Sequence, residues 1–166
     1  MARISEVIFP RVTGLVITCD SNGKPDIATF SFLMPVSFEP KYVAFSVSPR
    51  RKTFENLREM DEFVLAIPSR EMLDKVWGCG IHSGRDVDKF SLLGLEKENA
   101  KVVKPPLLKN IPVQLECKVE FIKEFGDHYL VVGKVLEEHI AKLDFQPLLH
   151  YSKNIFFIPS EKITVE

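Results

Sequence analysis

Arg50, Arg51 and Lys52 stand directly before Thr53, and that order suits an anion. The three cations sit where a β-branched run, Tyr42 to Val47, gives way to a helix-like one, Phe54 to Met60. N–H groups in the first turn of a helix have no intrahelical acceptor, and the helix dipole adds positive potential there. A phosphate at this corner would meet backbone N–H groups, the Thr53 hydroxyl and an arginine fork together. Taken alone, the run reads more readily as a solvated basic turn, since short basic runs are common on surfaces.

A second segment, Ala28 to Ser37 (ATFSFLMPVS), joins hydroxyls to a proline-constrained, aromatic-flanked stretch. Such a stretch can offer backbone polar groups to a planar heterocycle and apolar side chains to its face. Read alone, it also fits an ordinary apolar hairpin edge. A third segment, Trp77 to Phe90 (WGCGIHSGRDVDKF), carries three glycines around Cys79, His82 and Ser83. Glycine permits close approach of backbone to a ligand. The segment matches neither the dinucleotide fingerprint nor the phosphate-loop pattern. Cys79 and His82 have metal-like spacing without the second pair that a zinc site needs. They also lack the third, orienting group of a nucleophilic constellation, and no Gly-x-Ser-x-Gly elbow occurs. His128, His139 and His150 are scattered and read as structural or exposed, and Trp77 reads as a core anchor.

The elements that must position these groups are mostly strands. Val12 to Cys19 reads as a strand, and Ile27 to Phe30 as its return across the Asn22-Gly23 turn. Pro35 and Pro40 bracket an irregular loop over Leu33 to Glu39. Tyr42 to Val47 is a further strand. Thr53 is the expected N-cap of a short helix. Phe63 to Ile67 is a strand ended by Pro68, and Ser69 opens a helix from Arg70 to Trp77 that Gly78 or Gly80 stops. Asp86 to Leu93 is another short helical piece. Val113 to Phe121 alternates apolar and polar residues strictly, one face in and one face out. Tyr129 to Leu136 returns from it, Gly133 marks a bulge or bend, and Ile155 to Ile158 is a last strand. The sum is one domain over residues 1–166, mainly β with short helices, closed as a barrel.

Composition excludes several classes. Of the 166 residues, 45% are hydrophobic and 27% charged, an ordinary globular balance. The net charge of −1 argues against nucleic acid or an anionic membrane as partner, so any anion site is local. Three cysteines without a Cys-x-x-Cys pair suit a reducing cytoplasm better than a disulfide framework. The first residues do not form a signal peptide, and no apolar run approaches the ~20 residues of a membrane span.

The three segments together resemble the flavin-reductase-like, FMN-binding split-barrel family, in particular its flavoredoxin-like branch. The resemblance runs from Phe9-Pro10-Arg11-Val12 through Asp20 to Ser31 and Met34 to Phe38. It continues in Ser48 to Thr53 and the Ser83-Gly84-Arg85-Asp86-Val87-Asp88-Lys89-Phe90 box, and ends near Pro147 to Tyr151. It implies a split β-barrel, a homodimer, and one FMN per subunit near the dimer interface. By resemblance, Thr29, Phe30 and Ser31 would touch the ribityl chain and phosphate. Met34, Pro35, Val36 and Ser37 would line the isoalloxazine. Ser46 and Ser48, with Arg51, Lys52 and Thr53, would complete the phosphate site. Cys79, Gly80, Ser83, Gly84, Asp88 and Lys89 would close over the ring, with part of that closure coming from the partner subunit. Lys89 or Arg85 would supply a cation near flavin N1.

The resemblance further implies an FMN-dependent oxidoreductase drawing electrons from NADH or NADPH as transient substrate, or from a protein donor. The flavin does the redox chemistry, so no catalytic side chain is required. Two other readings stay open: a non-enzymatic FMN electron carrier, and a flavin-free or haem-binding split barrel. After His150-Tyr151 many relatives carry a glycine pair and an aromatic residue, where this chain has Ser152 to Phe156. Either way, the flavin requires Arg51 to Thr53 and Met34 to Ser37 to share one pocket.

Overall fold

The computed structural model describes residues 2–165. Among them lie a short helix α1 (Ile4–Val7), strands β1 (Arg11–Val12), β2 (Gly14–Cys19), β3 (Pro25–Phe30), β4 (Leu33–Phe38) and β5 (Lys41–Val47), and helix α2 (Lys52–Glu59). Next come β6 (Glu62–Ile67), a 3-10 turn over Arg70–Met72, α3 (Leu73–Ile81), α4 (Lys89–Leu93), β7 (Lys97–Glu98) and β8 (Leu107–Leu108). The chain closes with β9 (Val113–Phe125), β10 (His128–Ile140), β11 (Leu149–Ser152) and β12 (Ile155–Phe157). No described helix is long and apolar enough to cross a membrane.

Seven strands form one antiparallel sheet in the order β3-β2-β6-β9-β10-β5-β4. Its two edge strands, β3 and β4, are consecutive in the chain and separated only by Ser31 and Phe32. A two-residue link can join opposite edges only if the sheet curls until they meet, which makes the expected barrel. Ser46 N–H donates to Phe32 O at 2.8 Å and ties the link to β5. The barrel interior is packed by rings at aromatic-pair distances, Phe30 to Phe45 at 5.0 Å and Phe45 to Phe63 at 5.3 Å. A second core lies outside the barrel, where Ile17, Ile27 and Val64 meet Val76 of α3 and Phe90 of α4. β2 is therefore buried on both faces, which explains its apolar run Leu15 to Ile17.

Several expected elements differ. Leu33 to Glu39 is not an irregular loop. Residues 33–38 form β4, and Pro35 is tolerated because β4 is an edge strand with a bulge between Pro35 and Ser37. Helix α2 starts before Thr53, with Arg51 as its N-cap. Gly78 and Gly80 do not stop α3 but lie within it. A Cβ on Gly78 would meet Leu93 at 2.5 Å, so that glycine lets α4 pack closely. The short helical piece is α4 alone, opened by Asp88, whose side chain accepts from Phe90 N–H at 3.0 Å. Trp77 is no core anchor, since it is 37% exposed.

The alternation in β9 holds for Lys118 and Glu120, which are exposed, but misleads for the first half of the polar face. Gln114 and Glu116 are buried. Gln114 exchanges two hydrogen bonds with the Leu108 backbone, both at 2.8 Å. Glu116 holds the turn before β8 from within, so the segment over residues 101–108 covers this half of the face expected to meet water.

The register slips between Val132 and Gly133 as the Gly133 expectation required. A Cβ there would meet Phe63 Cζ at 2.4 Å. Phe63 is fully buried and cannot step aside. Gly133→Ala should therefore cost about 1–3 kcal/mol by overpacking, read as a lower urea midpoint at unchanged slope.

Candidate functional site

Three adjoining cavities run along the seam where β3 meets β4. The first, about 140 Å³, is cationic: Arg50 to Thr53 and Arg85, Lys89 and His82 line it, with Asp26 as the only carboxylate. The second, about 550 Å³, has Thr29, Ser31, Ser46, Ser48 and His128 on its walls. The third, about 350 Å³, is mostly apolar, between Phe32, Leu33 and Met34 on one side and Ile4 and Ile8 on the other. The first two share Thr29, Phe30, Arg50 and Arg51; the second and third share Ser31, Phe32 and Ser46. They make one groove, cationic at one end and apolar at the other. Arg51 to Thr53 and Met34 thus reach the same groove of a single protomer. A larger cavity of about 750 Å³ lies elsewhere, between residues 110–112 and 159–162.

The cationic end is built by the first turn of α2. Arg51 has extended backbone and makes no side-chain cap bond, so the N–H groups of Lys52 and Thr53 lack a helical acceptor. Lys52 sits 3.6 Å from Glu55, whereas Arg51 has no carboxylate partner among the described residues. The Thr53 hydroxyl is buried and has no hydrogen-bond partner. A buried hydroxyl without a partner costs about 1–3 kcal/mol, a cost that an anion in this cavity would remove. A phosphate monoester fits this donor set: one free arginine, two N–H groups and an orphaned hydroxyl, with the lining carboxylate, Asp26, already paired to Lys89.

Opposite lies a buried ion pair. Lys89 Nζ is 3.0 Å from Asp26 Oδ1, with both side chains almost wholly excluded from solvent. A Cβ on Gly84 would meet Asp26 Oδ1 at 2.2 Å, so glycine is what lets the box close over the pair. Arg85 binds Glu55 through Nε at 3.0 Å and the Arg50 carbonyl at 2.9 Å. Lys89 and Arg85 therefore stand engaged at the cationic end, away from Met34. Burial, with Lys89 opposing it, pushes the Cys79 thiol up to about 12, which leaves it un-ionised and inert.

In the middle of the groove the Thr29 hydroxyl points its proton away. Thr29 Oγ1 donates to Val76 O at 2.5 Å, which leaves its oxygen as an acceptor. Phe30 and Gly80 close the wall behind it. Pro35, Val36 and Ser37 continue along β4 beyond the three cavities, and Asp88 caps α4 without reaching the groove. The remaining expected residues (Ser31, Met34, Ser46, Ser48, Cys79, Ser83 and Gly84 among them) line the groove. Reading residues one by one missed Asp26, Phe32, Arg11, His128 and His150. Asp26 carried a signal, as the one carboxylate inside an otherwise apolar strand. Arg11 and His150 lie far apart in the chain and carried none. Among the described residues no cluster of three or more His, Cys, Asp or Glu could hold a metal ion.

A family model described as "Flavin reductase like domain" matches residues 7–159. A protein of Archaeoglobus fulgidus, with no assigned function, is 35% identical over 136 residues, 82% of this chain and 76% of that protein. In structure, the chain superposes on an FMN-binding protein from Thermus thermophilus with a TM-score of 0.89 and 24% identity, covering 100% of this chain and 95% of that one. It superposes on flavoredoxin of Desulfovibrio vulgaris with a TM-score of 0.87 and 23% identity, covering 99% and 93%.

Proposed function

This chain belongs to the flavin reductase like domain family, and from that premise we propose that it binds FMN and works as an oxidoreductase. The observation that carries the reading is the buried, unpartnered Thr53 hydroxyl beside Arg51 at the open first turn of α2. The FMN phosphate is assigned to Arg51, Lys52 and Thr53. The ribityl chain is assigned to the acceptor oxygens of Thr29 and Ser31, and the ring to the apolar end at Met34. Bound FMN supplies the hydride and electron chemistry; the protein anchors, orients and shields it.

The electron donor in this reading is NADH or NADPH, acting as a transient substrate. The chain works as a homodimer in a cytoplasmic setting. The exposed apolar residues Met34, Val36 and Phe38 of edge strand β4 support the dimer, because apolar surface on an edge strand is a liability unless covered.

The test is an absorption spectrum of the purified protein, then an FMN titration. Flavin bands and saturable quenching of flavin fluorescence are expected. A colourless protein that takes up no FMN would reject the reading, and a Soret band would replace flavin by haem. Arg51→Ala should weaken FMN binding at least tenfold, since a charged hydrogen bond contributes about 1.5–3 kcal/mol. Thr53→Val, of equal shape, should weaken it about fivefold. Oxidation of NADH or NADPH identifies the reductase. Silence with both, but prompt reduction by a protein donor, identifies a carrier.

A further inference from the structure

Arg11, Ser31 and His150 form a hub where the N-terminal segment, the β3–β4 link and β11 meet. Arg11 Nη1 donates to the carbonyls of Ser5 and Ile8. Its Nη2 donates to Tyr151 O at 2.7 Å and contacts His150 Nδ1 at 3.2 Å, and its Nε donates to Ser31 Oγ at 3.5 Å. A guanidinium has five N–H donors and accepts nothing, and all five have partners here. Arg11 is thus a clamp with no donor left for a ligand, although it borders the apolar cavity.

Its contact with His150 settles a tautomer. A group that only donates requires Nδ1 to be the bare nitrogen. The proton then sits on Nε2, which donates to Lys153 O at 2.9 Å. Ser31 Oγ lies 3.1 Å from that same bare Nδ1. The single Nδ1 lone pair is then shared as a three-centre bond, by Arg11 Nη2–H at 3.2 Å and by Ser31 Oγ–H at the shorter 3.1 Å, so Ser31 gives its one proton to the ring. One oxygen lone pair already receives Arg11 Nε–H; the other is left for the groove, which Ser31 lines on two sides.

We propose that His150 is a positioning residue that holds Ser31 as an acceptor-only hydroxyl, so that whatever docks at Ser31 must present an O–H or N–H. The inference rests on the FMN reading and sharpens it. A ribityl hydroxyl or the ring N3–H can meet Ser31; a phosphate oxygen or a ring carbonyl cannot. Together with Thr29, this gives the groove a middle that accepts and a cationic end that donates, so an FMN entering in reverse would be mismatched at both.

The experiment measures FMN dissociation constants by flavin fluorescence for wild type, Ser31→Ala, His150→Phe, His150→Asn and the Ser31→Ala/His150→Phe double variant. Ser31→Ala and His150→Phe should each weaken binding about three- to tenfold, the scale of one hydrogen bond. The double variant should be no weaker than either, because the residues act as one unit. The Asn side-chain oxygen can take the place of Nδ1 as acceptor, so His150→Asn should bind within about twofold of wild type, which a merely structural histidine would not require. Should His150→Phe fail to fold, FMN analogues decide. Among 2′-, 3′- and 4′-deoxyribityl FMN and 3-methyl-FMN, one should bind wild type more weakly than FMN yet bind Ser31→Ala no worse than FMN does. Unchanged FMN affinity in Ser31→Ala or His150→Phe, or analogue losses that ignore Ser31, would overturn the inference alone. Wild type that takes up no FMN would remove the flavin reading and this inference with it.

Discussion

Lys89→Met is expected to lower folding stability by about 3–5 kcal/mol, because it strands the buried Asp26 carboxylate. Most of the pair's stability lies in its mutual compensation, since neither side chain reaches water to be solvated instead. Asp26→Leu should cost about as much for the same reason. The double variant Asp26→Leu/Lys89→Met should recover most of the loss, since apolar residues of similar volume often replace a buried pair without penalty. Urea unfolding of the four proteins forms a double-mutant cycle with a large coupling term. Additive losses would show that the pair is not compensated as the geometry indicates.

The same variants separate stability from binding. Lys89→Met leaves a carboxylate facing the cavity that Arg51 to Thr53 share, so FMN affinity should fall together with stability. Asp26→Leu leaves a free ammonium in that cavity, so FMN should restore more stability to it than to Lys89→Met. Ligand linkage makes this measurable as the difference in unfolding midpoint with and without saturating FMN.

Glu116→Leu is the second large effect. The carboxylate accepts the N–H groups of Lys101 at 2.8 Å, Val102 at 2.7 Å and Val103 at 3.0 Å. His139 Nε2 lies 2.6 Å from it. A stranded buried donor costs about 1–3 kcal/mol; the Val103 N–H is buried, and those of Lys101 and Val102 are partly so. A loss on the order of 4 kcal/mol is therefore expected, with part of the segment opening to water. Amide hydrogen exchange at Lys101 to Val103 should quicken far more than in the barrel strands. Acid titration checks the charge. Burial pushes the Glu116 carboxyl up, but the N–H groups of Lys101, Val102 and Val103 with His139 outweigh it, and the net direction is below the ordinary 4.5. A carboxyl lowered on folding stabilises fully above its unfolded value and loses that stabilisation as pH falls through the folded one. Wild type should thus lose stability below about pH 4.5, and Glu116→Gln should show a flatter curve there.

The sequence by itself determined the barrel class and marked the two segments that become the ends of the groove, each with an ordinary alternative beside it. Those features are local: β-branched runs and an Asn-Gly turn specify hairpins, and a basic run before a helix start makes an anion corner wherever it folds. The family resemblance extended this reading to Met34 and Lys89. Tertiary structure decided that the polar residues in the first half of β9 are buried, because Glu116 and Gln114 are satisfied by backbone groups 6 to 15 residues away, and alternation cannot register such partners. It also decided that Gly78 is a packing residue rather than a stop, since Leu93 of another helix fills the space a Cβ would take. Above all it decided the hydrogen-bond polarity of the groove. Whether Ser31 gives or takes a proton depends on Arg11 and His150, which lie 20 and 119 residues from it. A hydroxyl's proton follows its nearest acceptor in space, and only the folded chain brings that acceptor near.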